Sequence, residues 1–520
     1  MPYTRRLTRQ LAFSLTLITA ASSAAQESPG PAASPSGFTA WVQGFIEKLN
    51  DLLGDTVSLM ADVLFADFGT GVPLIIAVLV AGGIYYTFYF GWLSVRGFGH
   101  SIRIIRGHFD NPDDPGEISH FQALTSALSA TVGLGNIAGV AIAVGLGGPG
   151  AVFWMVVTAV FGMSSKLASC TLAVMYRQVH ADGRISGGAM YYLEQGLALK
   201  GLRPLGRTLA VIFALLTIGG SLGGGNMFQS NQTLEILSTI SPVFKTYNWV
   251  IGLLFSGLVA IVIIGGIRRI GKVTSKIVPA MCLLYVAASL AIILSHVTQL
   301  PTLLARIVEL AFTPQALYGG FIGVLVTGVK RAVFSNEAGL GSAAFAHAAA
   351  KTDEPAREGM VAMIGPFIDT IIICLMTALV CMITGVYLRP EFQGQGEFIV
   401  GAKMTAAAFE TFIPGSRYVL AVAVALFAYS TMISWSYYGE RAWEYLFGAG
   451  TNMLYRIMFV CFVFIGSVTA LKNVLDFSDM MILGMAFPNI LGGVLLSPQI
   501  KAVLNDYWQR YKSGQMKEYR

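Results

Sequence analysis

Charge is what this chain has least of. Asp, Glu, Lys and Arg make up 12% of its 520 residues and hydrophobic side chains 55%, whereas a soluble globular protein carries about 25% charge. That balance excludes an ordinary soluble domain and equally a disordered chain, which needs low hydrophobicity. Cysteine is scarce too. Cys170, Cys282, Cys374, Cys381 and Cys461 all sit in apolar runs, without a C-x-x-C pair or a Cys/His cluster, so neither a disulfide framework nor a metal framework is expected. H-E-x-x-H is missing, which removes zinc intramembrane proteolysis. Two nucleotide-site lookalikes also fail. The string at 266–272 has Val273 where a P-loop needs Ser or Thr to reach magnesium, and it reads as a basic loop. The G-x-G-x-x-G at 145–150 has no strand before it and reads as a tight turn between helices. No nucleophile, base and orienter arrangement is visible, so an enzyme is not expected, and nucleic acid is not an expected partner.

Long apolar runs fill the space those absences leave. They fall near 70–95, 121–146, 150–176, 207–230, 249–267, 276–297, 318–349, 358–386, 416–436, 453–472 and 477–497, about eleven spans by the twenty-residue criterion. The expected fold class is therefore an all-α polytopic membrane protein. Ahead of the spans, Arg5, Arg6 and Arg9 precede an apolar run too short to cross a bilayer, followed by small residues; this predicts a signal peptide over 1–25. Residues 26–37 read as a linker and 38–66 as an amphipathic helix lying on the membrane. Laying the loops alternately on two sides collects most Lys and Arg on one of them, including Arg103, Arg177, Arg268, Arg269, Lys351, Arg441 and the 498–520 tail. By the positive-inside rule the N-terminus lies outside and the C-terminus in the cytoplasm.

One short string occurs twice. It reads Gly133-Leu134-Gly135-Asn136 in the second span and Asn336-Glu337-Ala338-Gly339-Leu340-Gly341 in the seventh. Non-helical backbone at membrane depth is tolerated only where it is buried in protein or lines a cavity, and paired glycine-interrupted segments point to a transporter's binding site. A small-residue packing seam is the plainer alternative, but Asn136 directly after the glycines argues against mere packing. Five spans separate the two copies. That odd offset makes residues 121–300 and 301–497 inverted five-helix repeats, with 67–120 a peripheral first span and its loop.

Other polar groups stand out against the apolar background. Lys330, Arg331 and Glu337 crowd the second broken span, where intramembrane charge is expensive; Glu337 is placed to pair with either cation, and all three are coupling or gating candidates. Asp369 in the eighth span, without a partner by sequence, is a fourth, as a proton or cation relay or a structural ion pair. His347 reads as a surface or gating residue. Asn226, Phe228 and Gln229 follow three glycines at the end of the fourth span and offer amides beside an aromatic, which suits a small zwitterion; a helix cap would look similar. Ser430 and Thr431, with Ser434, can supply hydroxyls to a hard cation, which prefers oxygen; back-bonding to the preceding turn is the alternative.

These strings, together with 147–155, 225–231 and 434–440, resemble the alanine or glycine:cation symporter family over roughly residues 70–500. The resemblance implies a fold similar to the bacterial leucine transporter, and sodium-coupled or proton-coupled uptake of a small neutral amino acid across the bacterial plasma membrane. It also implies roles. Backbone groups of Thr131, Val132 and Gly133 would meet the substrate carboxylate, with Gly135, Asn226, Phe228, Gln229, Asn336 and Gly339 completing the substrate set. Carbonyls of Ser129 and Val132 with the hydroxyls of Ser430 and Thr431 would hold sodium, and Asn136 would order the break or serve another ion site. An uncoupled facilitator and an amino-acid sensor are the other readings; the first predicts no uphill accumulation, and the second is weakened by the lack of a sizeable soluble output domain.

Overall fold

The computed structural model describes residues 64–519 except 182, 265, 314–319, 393–396 and 470. The signal peptide, the linker and nearly all of the amphipathic stretch lie outside the described residues.

The chain is overwhelmingly helical. Its helices are α1 (Leu74–Tyr89), α2 (His120–Thr131), α3 (Val140–Met175), α4 (Arg203–Leu222), α5 (Phe228–Ile240), α6 (Asn248–Ile263), α7 (Gly266–Ser295) and α8 (Leu300–Phe312). They continue with α9 (Gly320–Asn336), α10 (Pro355–Ala362), α11 (Leu375–Ile383), α12 (Glu397–Phe412), α13 (Ser416–Phe447), α14 (Asn452–Val468), α15 (Leu471–Gly484) and α16 (Ala486–Lys512). Among the described residues seven helical stretches are long and apolar enough to cross a membrane. The apolar runs at 70–95 and 249–267 become the shorter α1 and α6, 16 residues each; at 1.5 Å per residue each rises about 24 Å, short of a bilayer's roughly 30 Å core.

Two packing hubs organise the bundle. α3 lies against α1, α8, α9 and α10, while α13 lies against α2, α4, α5 and α7. The turn expected at 145–150 is present as a kink: Gly148 takes φ +67°, and Pro149 follows it where its missing N–H costs nothing. The P-loop lookalike at 266–272 is helical, forming the first two turns of α7 rather than a loop. The triple glycine at 223–225 does not end its span. Gly223–Met227 is a π-helical turn inside one continuous stretch, Arg203–Ile240. A second wide turn, Gly135–Gly139, joins the first break to α3, and a third, Phe367–Cys374, joins α10 to α11. Such turns insert a residue and re-aim the side chains after it, which is why they gather at functional sites. Helices α8 and α12 fall between the apolar runs and were not anticipated.

A small clasp joins the approaches to the two repeated strings. Ile118 and Ala350 form a parallel β-bridge. Arg177 donates to the carbonyls of Ala348, Ala350, Pro115 and Thr352. Beside it a two-residue antiparallel ladder pairs Gln178 with Ser186.

Candidate functional site

The first break begins where α2 runs out of helical hydrogen bonds. Ser119 and Gln122 start α2 with a reciprocal capping box. The helix ends as Val132 N–H donates to Leu128 at 2.6 Å and Val132 turns out of helical geometry, at ψ 89°. The next two amides are then free of the ladder and must find other acceptors. Gly133 N–H takes Asn136 Oδ1 at 2.8 Å, and Leu134 N–H takes Gln229 Oε1 at 3.4 Å. Gln229 is held in turn by its own Nε2 on the Gly224 carbonyl at 2.9 Å. Asn136 and Gln229, two residues singled out from sequence, are therefore what props the unwound backbone.

Helix α13 meets the same break. Ser129 Oγ donates to the Ser430 carbonyl at 2.8 Å, and Thr431 Oγ1 donates back to the Ser129 carbonyl at 3.0 Å. Gly133 is required here: a Cβ at that position would come within 2.4 Å of Thr431 Oγ1. Ser129, Val132, Gly133 and Thr431 are thus brought together. Ser430 joins them through its carbonyl, its hydroxyl back-bonding to Phe427 at 3.0 Å. Thr131 likewise back-bonds to Ala127 at 3.2 Å. Ser434 Oγ is buried with no hydrogen-bond partner among the described residues.

The second break lies just past the charges that drew attention to it. α9 stays helical through Lys330 and Arg331 to Asn336; the backbone then turns left-handed at Glu337 (φ +55°), Gly339 (φ +84°) and Gly341 (φ +85°). Asn336 caps the break, accepting from Ala338 N–H at 2.9 Å while its Nδ2 donates to Thr370 at 2.9 Å. The Gly339 carbonyl accepts from Asn489 at 2.7 Å. Glu337 does not pair with Lys330 or Arg331. Its carboxylate accepts from Ser342 Oγ at 2.5 Å and from Trp435 Nε1 at 3.0 Å, while both cations pair with Asp479 of α15. The reason is geometric: at 330 and 331 the helix is intact and aims its side chains at α15, whereas Glu337 sits beyond its end.

Asp369 joins the two breaks. Its carboxylate accepts from Asn136 Nδ2 at 2.7 Å, Ser335 Oγ at 2.9 Å and Thr370 Oγ1 at 2.9 Å. Gly135 lets the broken helices touch, since a Cβ there would sit 3.1 Å from Ser335 Cα. Phe228 packs edge-on to Phe334 with centroids 5.3 Å apart. Asn226 commits its amide nitrogen to the Phe459 carbonyl at 2.7 Å on α14, leaving Oδ1 without a partner among the described residues.

Several buried groups escaped the sequence reading. His347 is not a surface residue. It and His120 bond opposite oxygens of Glu358, all three buried. Asp479 and Lys166 are buried as well. The only signal for Lys166 was an isolated charge in an apolar run, the same signal that did identify Asp369, while Asp479 follows Lys472 and Asp476 at the head of its run.

Residues 55–520 match the model of the sodium:alanine symporter family. The chain belongs to that family. It is 41% identical over 444 residues to the sodium/alanine symporter AgcS of Methanococcus maripaludis, covering 85% of this chain and 95% of that one. It is 33% identical over 469 residues to the probable sodium/glutamine symporter GlnT of Bacillus subtilis, covering 90% and 93%. Among solved structures, that of MhsT in complex with L-phenylalanine aligns with 75% of this chain and 99% of that one, at 14% identity and a TM-score of 0.47. These relatives are named as symporters, not enzymes. As a member of the family, the chain is a multi-pass membrane protein of the cation-coupled amino-acid symporters.

Proposed function

We propose that this protein is a secondary active symporter, using inward sodium flow to take up a small neutral amino acid by alternating access. Alanine is the first candidate, with glycine and serine next. The observation that carries the reading is the exchange of hydrogen bonds between Ser129 of the first broken helix and Ser430–Thr431 of α13, directly over the unwound backbone at 132–134. The carbonyls of Ser129 and Val132 with the hydroxyl of Thr431, and that of Ser430 once it turns from the Phe427 carbonyl, make an all-oxygen donor set, the kind a hard cation prefers. A sodium ion ligated from both sides would favour one arrangement of the two helices. Substrate then meets ordered backbone, and by linkage it tightens sodium as sodium tightens it.

The amide of Leu134 is the natural recipient for a carboxylate. Its bond to Gln229 is long, and an anion makes the stronger partner. Phe228 and Phe334 leave a small side chain favoured, although one methylene is worth only about 1–3 kcal/mol of discrimination. At a membrane potential of about 100 mV, each inward charge contributes roughly 2.3 kcal/mol, enough for tens-fold accumulation. The setting is the bacterial plasma membrane. The N-terminus lies outside and the tail inside, and residues 121–300 and 301–497 form inverted five-helix repeats.

Radiolabelled alanine uptake into proteoliposomes tests this directly. Uphill uptake is expected under a sodium gradient and not under a proton gradient alone. Proton-only driving would move the coupling centre to Asp369, which already bridges both breaks. No transport of alanine, glycine or serine under any gradient overturns the substrate assignment.

A further inference from the structure

Lys166 lies about three-quarters of the way along the apolar segment Gly135–Met175 and is 2% exposed. Among the described residues no ion pair or side-chain hydrogen bond engages its ammonium. An intramembrane ionisable group is expensive and marks function by default, and one without a direct counter-ion is the costliest case.

Its surroundings are set by one face of α3. Gly162, Lys166 and Cys170 recur a turn apart and so point the same way. A Cβ at Gly162 would meet Ala338 at 2.5 Å, and Ala338 directly follows Glu337. Cys170 packs with Ala343 and Ala362. A Cβ at Gly365, one turn before Asp369, would lie 3.2 Å from Lys166 Nζ. The lysine therefore stands between the unwound segment led by Glu337 and the turn that carries Asp369. Both are buried, and the hydrogen bonds they accept come from neutral donors: Ser342 and Trp435 for Glu337; Asn136, Ser335 and Thr370 for Asp369. The nearby Glu358 is already held by His120 and His347.

We propose that Lys166 is a resident cation of the ion centre, permanently balancing one of the two carboxylates, so that one fewer transported cation accompanies each amino acid than Glu337 and Asp369 would otherwise require. With one ammonium and two carboxylates the centre carries one net negative charge, which a single monovalent cation neutralises. Without the ammonium it carries two. An uncompensated charge in this low-dielectric interior is strongly disfavoured, so a second cation must enter with the substrate.

This inference rests on the symport reading. Its test is the number of charges moved per alanine, from reversal potentials in proteoliposomes holding wild-type protein, Lys166→Met or Lys166→Arg. Lys166→Met is expected to move one more charge per alanine than wild type, and Lys166→Arg the wild-type number. A slower Lys166→Met carrier with the wild-type ratio would show a merely structural lysine and overturn the proposal. Wild type moving alanine with no net charge would instead sink the symport reading, and this inference with it. Should Lys166→Met not fold, the pair Lys166→Met/Glu337→Gln deletes one charge of each sign. It is expected to recover folding, by thermal denaturation in detergent, and a pair no better than the single variant overturns the proposal.

Discussion

Asn136 does two jobs with one amide: its oxygen holds Gly133 N–H, and its nitrogen holds Asp369. Asn136→Ala strips both, leaving a buried N–H and a buried carboxylate short of partners, at about 1–3 kcal/mol for each unsatisfied group. We expect a lower melting temperature in detergent together with loss of alanine uptake; Asn136→Asp, which keeps the acceptor for Gly133 but sets a second carboxyl against Asp369, should fail in uptake as well. Gly133→Ala is expected to abolish sodium-driven uptake because the new methyl meets Thr431 Oγ1. The double variant Gly133→Ala/Thr431→Ala, which removes the clash but also a proposed ligand, should regain stability and not sodium dependence. At this scale the sequence was informative wherever polarity stood against an apolar background, as with Asn136, Gln229, Asn336 and Asp369. It was silent about pairing. Lys330 and Arg331 find Asp479 almost 150 positions away, and no local pattern encodes that contact.

Between elements, the histidine–glutamate–histidine tie gives the start of the first broken helix and the stretch after the second break a common anchor. His120 is the first residue of α2, His347 lies in the short helix after the second break, and Glu358 is on α10. With the Arg177 clamp and the Ile118–Ala350 bridge, this tie cross-links the start of α2 to the stretch after the second break. Glu358→Gln leaves each histidine facing a neutral amide. Each buried polar group left without its partner costs about 1–3 kcal/mol, so the variant is expected to melt below wild type and to retain alanine binding, measured in detergent, better than it retains uptake. The long helices were legible because unbroken apolar runs dictate them. The wide turns at Gly135–Gly139, Gly223–Met227 and Phe367–Cys374 were not, since one inserted residue leaves a 3.6-residue pattern nearly unchanged. The triple glycine was consequently read as a helix end, although its role is to admit Trp435: a Cβ at Gly225 would lie 2.3 Å from the indole.

For the molecule as a whole, the two copies of one string impose a symmetry that can be measured without any ligand. If five spans separate them, every loop of the first repeat has a counterpart in the second on the opposite side of the membrane. Thr246 follows the fourth apolar run and Gly450 the ninth, so they occupy corresponding loops; both are exposed, and a side chain at 450 would meet nothing within 4 Å. In a background with the five native cysteines replaced, Thr246→Cys should react with a membrane-impermeant maleimide added outside intact cells. Gly450→Cys should react only after the membrane is opened, as should Ser513→Cys in the tail. Labelling of 246 and 450 from the same side would make the repeats parallel. The broken helices would then cross in the same direction, with their positive amino-terminal ends facing one way rather than converging on a single carboxylate, and the substrate geometry proposed for 132–134 would lose its counterpart at 337–341.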